Sequence, residues 1–383
     1  MARTLRFDKA LLVATLLLVG ASVVMVYSAS VVQANAKYQA PSYFLYKQLA
    51  WAVMGTTLML MTMRVDYHAY RQRWFIWALL GGTVVLLLAV FLFPPINGTR
   101  RWISLSIVSL QPSELAKLAA VLFSAALLER RMHRVNDLRY AVLPIAIVTV
   151  ALAGLIIKEP DFGTASIIVL VVVAIVFAAG LSYRYLFGTA LLILPTAMAL
   201  ILTSAYRRER LMTFLNPWND ALGKGFQIIQ ALVAVGSGGI FGRGLMAGIQ
   251  KLYYIPEPHT DFIYAVIGEE LGLVGTTLTM LCFLVIGWRG LRASLLAPDR
   301  FGALLAIGLT LMVTLQAFVN ISVVTKLVPT KGIPLPFVSN GGSSLLINLV
   351  AMGILLNISQ QSSAVAAASL NARATLVEAG QEA

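Results

Sequence analysis

Several things that soluble enzymes rely on are scarce in this chain. One cysteine in 383 residues, Cys282 inside an apolar run, excludes a disulfide framework and a thiolate metal site. Three histidines, far apart in sequence, offer no cluster for zinc. Only 12% of residues are charged, against roughly a quarter in ordinary soluble domains. With 59% of residues hydrophobic, that scarcity excludes a single soluble core and points to the membrane class. The stretch GSGGIFGRGL (236–245) is glycine-dense but lacks the Gly-Lys-Ser/Thr ending of a phosphate loop, so it is not read as a nucleotide site; close helix packing or flexibility is the plainer reading. No internal repeat halves the chain, which weighs against a transporter built from inverted repeats. The N-terminal apolar stretch is long enough to span and lacks a small-residue cleavage site, so it is read as a retained first helix.

What fills the sequence instead is apolar runs of spanning length, about twenty residues each. They fall near 10–32, 46–63, 74–94, 112–128, 140–157, 164–181, 185–204, 262–288, 301–325 and 342–358. The expected fold is an all-α integral membrane protein of about ten transmembrane helices. The net charge of +13 is carried in short basic clusters between the runs, as orientation signals are, and not on a face for nucleic acid. Arg3, Arg6 and Lys9, then Arg64, Arg71 and Arg73, then Arg130, Arg131, Arg134 and Arg139, then Arg184, then Arg289, Arg292 and Arg300 fall on one side. Both termini are therefore expected in the cytoplasm. The membrane domain covers 1–358, and the small, polar tail 359–383 reads as disordered and cytoplasmic. A large extracytoplasmic loop, about 205–261, joins helices 7 and 8 and is long enough to be functional. Within it, GFQIIQALVAV (225–235) is apolar but too short to cross, so it should lie in the interface or re-enter.

Five segments on the outer side concentrate unusual polar residues: NGTRRWISL (97–105), QPSELAK (111–117), KEPDFGT (158–164), the triplet His259, Thr260 and Asp261, and PTKGIPLPFVSNGGSS (329–344). Polar groups at membrane depth are costly and are usually functional or paired. Asp261 sits just outside a long apolar run, where partial desolvation raises a carboxyl toward the range of a working base; helix capping is the competing reading, and spacing leaves both open. Pro112 and Glu114 mark a helix start, and Lys117, three residues after Glu114, shares its face. That pair either fixes the helix or presents Lys117 to an anionic ligand. Asp161 suits a helix N-cap. Arg100 and Arg101 flank Trp102, as an interfacial belt or as two guanidiniums for a pyrophosphate. Glu269 and Glu270 lie about two turns inside the membrane from Asp261 and are expensive there unless paired.

The motifs NGTRRWI, LQPSELAKL, EPDFGTA, GSGGIFGRGL, QKLYYIPEPHTDFIYAVIGEELG and PTKGIPLPFVSNGGSS, in that order over about 8–360, closely resemble those of the SEDS family of bacterial cell-wall glycosyltransferases. QKLYYIPE and PTKG look more like the cell-division branch than the elongation branch. At Asn340 the chain departs from the tyrosine the family commonly has. The resemblance implies a ten-helix enzyme that polymerises lipid II into glycan strands on the outer face of the bacterial cytoplasmic membrane, releasing undecaprenyl pyrophosphate. It also implies a class B penicillin-binding protein (transpeptidase) such as FtsI, and other divisome membrane proteins, as partners. The family's essential acidic residue falls on Asp261, and its cavity residues fall on Trp102, Glu114, Lys117, Arg101 and Lys331. His259, Thr260 and Ser343, in the same segments, complete the candidate substrate contacts.

The implied chemistry suits these residue types. A lipid pyrophosphate already leaves well, so one base on the acceptor hydroxyl suffices and a second carboxylic acid is not required. Charge on the departing pyrophosphate calls for cations, supplied by Lys117, Arg101 or a divalent ion. Hard oxygen ligands make that ion Mg or Mn, with Asp261 a possible ligand, and neither zinc nor a nucleotide is expected. Two other classes stay open: a lipid II flippase, for which Glu269 and Glu270 would matter, and a non-catalytic division scaffold.

Overall fold

The computed structural model describes residues 7–96, 98–105, 108–223 and 225–381. Arg3 and Arg6, Asn97 of the first outer segment and the last two residues of the tail lie outside them. Each expected apolar run forms a helix: α1 (Lys9–Tyr38), α2 (Tyr43–Arg64), α3 (Arg73–Ala89), α4 (Pro112–Arg131), α5 (Leu143–Lys158), α6 (Phe162–Ala178), α7 (Tyr183–Leu202), α10 (Ile263–Leu295), α11 (Arg300–Val324) and α12 (Gly342–Gln381). Two shorter helices, α8 (Ala205–Leu215) and α9 (Phe226–Ser237), lie between α7 and α10, so the long loop of the sequence is largely helical. A hairpin of β1 (Ile103–Leu105) against β2 (Val108–Leu110) precedes α4.

Among the described residues, seven helices are long and apolar enough to cross a membrane. The other three expected runs, α2, α4 and α6, are helical but fall short of that measure. At about 1.5 Å per residue, α6 reaches roughly 25 Å, less than a hydrocarbon core of about 30 Å. α4 carries Glu114 and Lys117 within its span and is enclosed by α3, α6 and α11. Its small residues, Ala116, Ala119, Ala120, Ser124, Ala125 and Ala126, are all buried and allow that close approach. α7 is the opposite case: among the described residues its apolar window has none buried, as expected of a helix left to face lipid.

The two ends of the bundle are both tied by polar contacts. At one end Arg289 pairs with Asp8 at 2.6 Å, Arg71 pairs with Glu129, Tyr67 donates its hydroxyl to Asp299, and Asn357 of α12 accepts from the Tyr67 amide at 3.0 Å. Arg71 and Arg289, from two of the basic clusters, take part in these contacts. At the other end lie the hairpin, the α7–α10 connection and the α11–α12 connection. α12 runs on to Gln381, past residue 359 where composition reads as an unstructured tail. Ser359, Gln360 and Ser362 are buried, so the packed helix extends beyond that boundary. The Ala-rich sequence that follows has high intrinsic helix propensity.

α10 is broken at Gly272 (φ 65°), two residues after the glutamate pair. Breaking a helix inside a membrane frees main-chain groups that need partners, and the glycine-rich segment supplies them. Leu273 N–H donates to Gly239 O at 2.9 Å and Val274 N–H to Ile240 O at 3.1 Å, while Arg243 and Gly244 donate to Glu269 O and Glu270 O, each at 3.0 Å. The side chains join in. Glu269 accepts from the Ile249 amide at 2.8 Å, and Glu270 accepts from Lys251 Nζ at 2.6 Å and Ser28 Oγ at 2.7 Å. Neither glutamate is a charge left bare at depth; both anchor the loop, which decides the glycine stretch in favour of close packing. A β-carbon on Gly272 would lie 2.3 Å from Gly242 N, closer than atoms pack. The variant Gly272→Ala combines that clash with a left-handed backbone, and it should lose at least about 2 kcal/mol of stability, read as a lowered melting temperature in detergent.

Candidate functional site

The turn that carries Asp261 is fixed from below by one buried amide. Asn320 of α11 donates from Nδ2 to Asp261 O and to Ile333 O, both at 2.8 Å, so the start of α10 and the α11–α12 connection meet on one side chain. A second tie holds the same two segments: Ser339 Oγ donates to Thr260 O at 2.6 Å, and the Asn340 amide donates to His259 O at 2.9 Å. The departure at Asn340 therefore leaves a main-chain contact in place. Asp261 does not cap α10, because the capping position is Phe262 and no side chain bonds there. Its carboxylate instead accepts from Thr260 Oγ1 at 2.9 Å. Burial raises the Asp261 carboxyl above the ordinary range and Glu257 adds to the shift; the Thr260 hydroxyl, its own amide and Arg210 pull it back.

Beside this turn opens a cleft of about 210 Å³, lined by the cations Arg101, Arg207, Arg210 and Lys331 and by Asp161 at the start of α6. A β-carbon placed on Gly332 would lie 3.8 Å from both Arg101 Nη1 and Asp261 Oδ2, so the carboxylate and one guanidinium flank the same glycine. Arg101 is held by its donors to the main-chain carbonyls of Glu159 (3.1 Å) and Pro160. Arg207 and Lys331 both sit over the ring of Phe162, 5.8 and 5.3 Å from its centre. The face of an aromatic ring attracts a cation. Burial lowers the Lys331 ammonium, and Asp161 partly restores it.

Asp161 is occupied as the sequence suggests. It caps α6 through the Thr164 amide (3.1 Å) and hydroxyl (2.8 Å) and receives Gln111 Nε2 at 3.3 Å. The Gln111 amide in turn donates to Ser343 Oγ at 3.2 Å. The first turns of α4, α6 and α12 are thereby joined, and Ser343, 1% exposed, serves that junction.

Other candidates fall outside the cleft. Glu114 and Lys117 form a buried ion pair at 2.9 Å, 1% and 2% exposed, and Lys117 also donates to Gln316 Oε1, whose amide reaches Pro334 O at 2.9 Å. Lys117 thus reaches Gln316, which supports the α11–α12 connection, and it is not among the residues lining this cleft. The reason is spacing: three residues along α4, Glu114 reaches it first. His259 turns toward α2, its ring 4.5 Å from that of Phe44, and burial followed by Lys37 lowers its pKa to about 4, so it is neutral. Trp102 is half-buried beside Arg101, leading into β1. Arg207 and Arg210 were missed from sequence. The signal was there, since RRER places three arginines in the long connection after α7, two of them three apart on one face of α8. Among the described residues, no group of three His, Cys, Asp or Glu side chains gathers to hold a metal ion.

The chain matches the family described as "FTSW_RODA_SPOVE: Cell cycle protein" over residues 9–364. It is 43% identical, over 92% of its length and 95% of the relative's, to the probable peptidoglycan glycosyltransferase FtsW of Geobacter metallireducens. It is 42% identical to stage V sporulation protein E of Bacillus subtilis, over 93% of this chain and 97% of that one. Among solved structures it resembles a chain of a peptidoglycan synthase complex that coordinates polymerization and crosslinking, with TM-score 0.76 and 30% identity over 94% of this chain and 99% of that chain. The rod shape determining protein RodA of Thermus thermophilus follows at TM-score 0.68 and 27% identity, over 94% and 98%.

If the Glu114–Lys117 pair is structural, removing one partner strands a buried charge and costs about 3–5 kcal/mol. Glu114→Gln and Lys117→Met should each lower the melting temperature sharply, and the double variant should recover most of the loss.

Proposed function

Since the chain belongs to the FtsW/RodA/SpoVE family of cell cycle proteins, we propose that it is a peptidoglycan glycosyltransferase that polymerises lipid II during division, with Asp261 as general base. The observation that carries the reading is the Asp261 carboxyl, raised by burial, at the edge of a cleft lined by four cations, whose own carboxylate, Asp161, is taken up in capping α6. That inventory suits transfer from a diphosphate-activated sugar. A hydrolase acting on an ordinary glycosidic bond would need a second carboxyl to protonate its leaving group.

Asp261 takes the proton from a hydroxyl of the acceptor sugar. The oxygen attacks the anomeric carbon of the donor from the face opposite the diphosphate, and the bond to the diphosphate oxygen breaks with its electron pair, inverting the centre. Arg101, Arg207, Arg210 and Lys331 stabilise the charge that builds on the undecaprenyl diphosphate. The N-terminus of α6 beside them adds a partial positive charge, offset by its Asp161 cap. A Mg or Mn ion would find one hard ligand in Asp261 and the rest in diphosphate oxygens, adding positive charge there; no step here depends on it.

In this reading the chain crosses the membrane ten times, with both termini in the cytoplasm and the Asp261 cleft outside. The basic clusters at the opposite end support that orientation. A class B penicillin-binding protein is the proposed partner, because the structural relative comes from a peptidoglycan synthase complex that coordinates polymerization and crosslinking. A flippase would string ionisable groups through the membrane depth, whereas Glu269 and Glu270 are bound into the glycine-rich loop.

Purified chain should polymerise purified lipid II, and Asp261→Asn should lower the rate about 10²–10⁴-fold while leaving the fold intact. Lipid movement without polymer, or full activity in the Asn variant, refutes the assignment. Because the base acts ionised, wild-type activity should be lost as pH falls, with a midpoint above that of an ordinary aspartate, about 3.9.

A further inference from the structure

The residue whose main-chain carbonyl holds Arg101 carries a carboxyl group that the steps above leave unused. Glu159, where α5 ends, is 0% exposed, and neither of its carboxyl oxygens has a hydrogen-bond partner. Arg101 is held by the main-chain carbonyl of this same residue, at 3.1 Å, and not by its side chain. A carboxylate buried without a donor is strongly disfavoured, so the side chain rests there as the uncharged acid. Were it ionised, it would cancel the charge that Arg101 presents to the cleft.

We propose that Glu159, whose main-chain carbonyl holds Arg101, keeps its side chain as a neutral acid and so leaves the guanidinium's full charge for the diphosphate. The inference rests on the diphosphate reading of the cleft. Burial, then the Asp161 carboxylate, push Glu159 up to about 8, and Arg101 pulls it back. The charged groups around it are Asp161 at the start of α6 and Arg101 from the α3–α4 connection. Lys331 of the α11–α12 connection and Arg207 and Arg210 of α8 line the same cleft. Below pH 8 the acid is neutral and diphosphate binds. Above it the carboxylate forms, Arg101 is neutralised, and affinity falls.

The test is binding of farnesyl diphosphate to the full chain in detergent at pH 7 and pH 9, for wild type, Glu159→Gln and Glu159→Met. If only the neutral form binds, wild type should weaken about tenfold across that interval, the apparent dissociation constant scaling with the inverse of the competent fraction. The two variants, neutral at both pH values, should lack that loss. Titration of the ligand and of Lys331 acts on all three proteins alike and cancels in the comparison. Variants that weaken as steeply as wild type overturn the role of Glu159. A wild type that does not bind the probe at pH 7 overturns the diphosphate reading, and the inference with it. Should the Gln variant fail to fold, the Met variant, neutral and of similar volume, carries the same comparison.

Discussion

Main-chain carbonyls that turn inward where a membrane domain meets its outer connections must find donors, because water is scarce there. Two such carbonyls, of Asp261 and Ile333, are satisfied by the two hydrogens of one amide, Asn320, which is 2% exposed. That sharing sets the distance between the turn bearing the carboxylate and the connection bearing Lys331. The cleft is what remains between them and α8. Gln316, one turn earlier on α11, repeats the device by linking Lys117 to Pro334 O.

A second regularity is the division of labour among acids. Glu114, Asp161, Glu269 and Glu270 are each bound to a lysine or to main-chain amides, and each fixes a helix start or a loop. Asp261 keeps its carboxylate at the cleft, with only the neighbouring hydroxyl and its own amide as donors. Lys117 and Lys251 sit in buried pairs, and Arg101, Arg207, Arg210 and Lys331 line the cavity together with Asp161, whose carboxylate caps α6. Asp261 lies at the edge of that cavity.

The glycine-rich segment shows how depth and polarity are reconciled. Inserting a loop beside α10 requires backbone to approach backbone, which Gly238, Gly242 and Gly272 permit by having no β-carbon to collide with Gly268 O, Glu270 O or Gly242 N. The glutamates then satisfy the amides of Ile249, Gln250 and Met246. The helix break and the acidic pair are one construction, and neither is intelligible without the other.

Hydrophobic run length and the order of the motifs sufficed to establish an all-helical membrane protein and its family, and to single out Asp261 as a candidate, because burial of apolar helices and the chemistry of short motifs are local properties. Sequence left open whether Asp261 caps its helix, whether Lys117 serves ligand or partner, and whether the deep glutamates line a path. Each of those depends on which atom arrives within about 3 Å of another, and that is set by contacts between residues far apart in the chain: Asn320 with Asp261, Gln316 with Lys117, Lys251 and Ser28 with Glu270. The arginines of α8 became part of the site for the same reason. Their charge was legible in the sequence, and only the packing of the long connection against the start of α6 gave it an address.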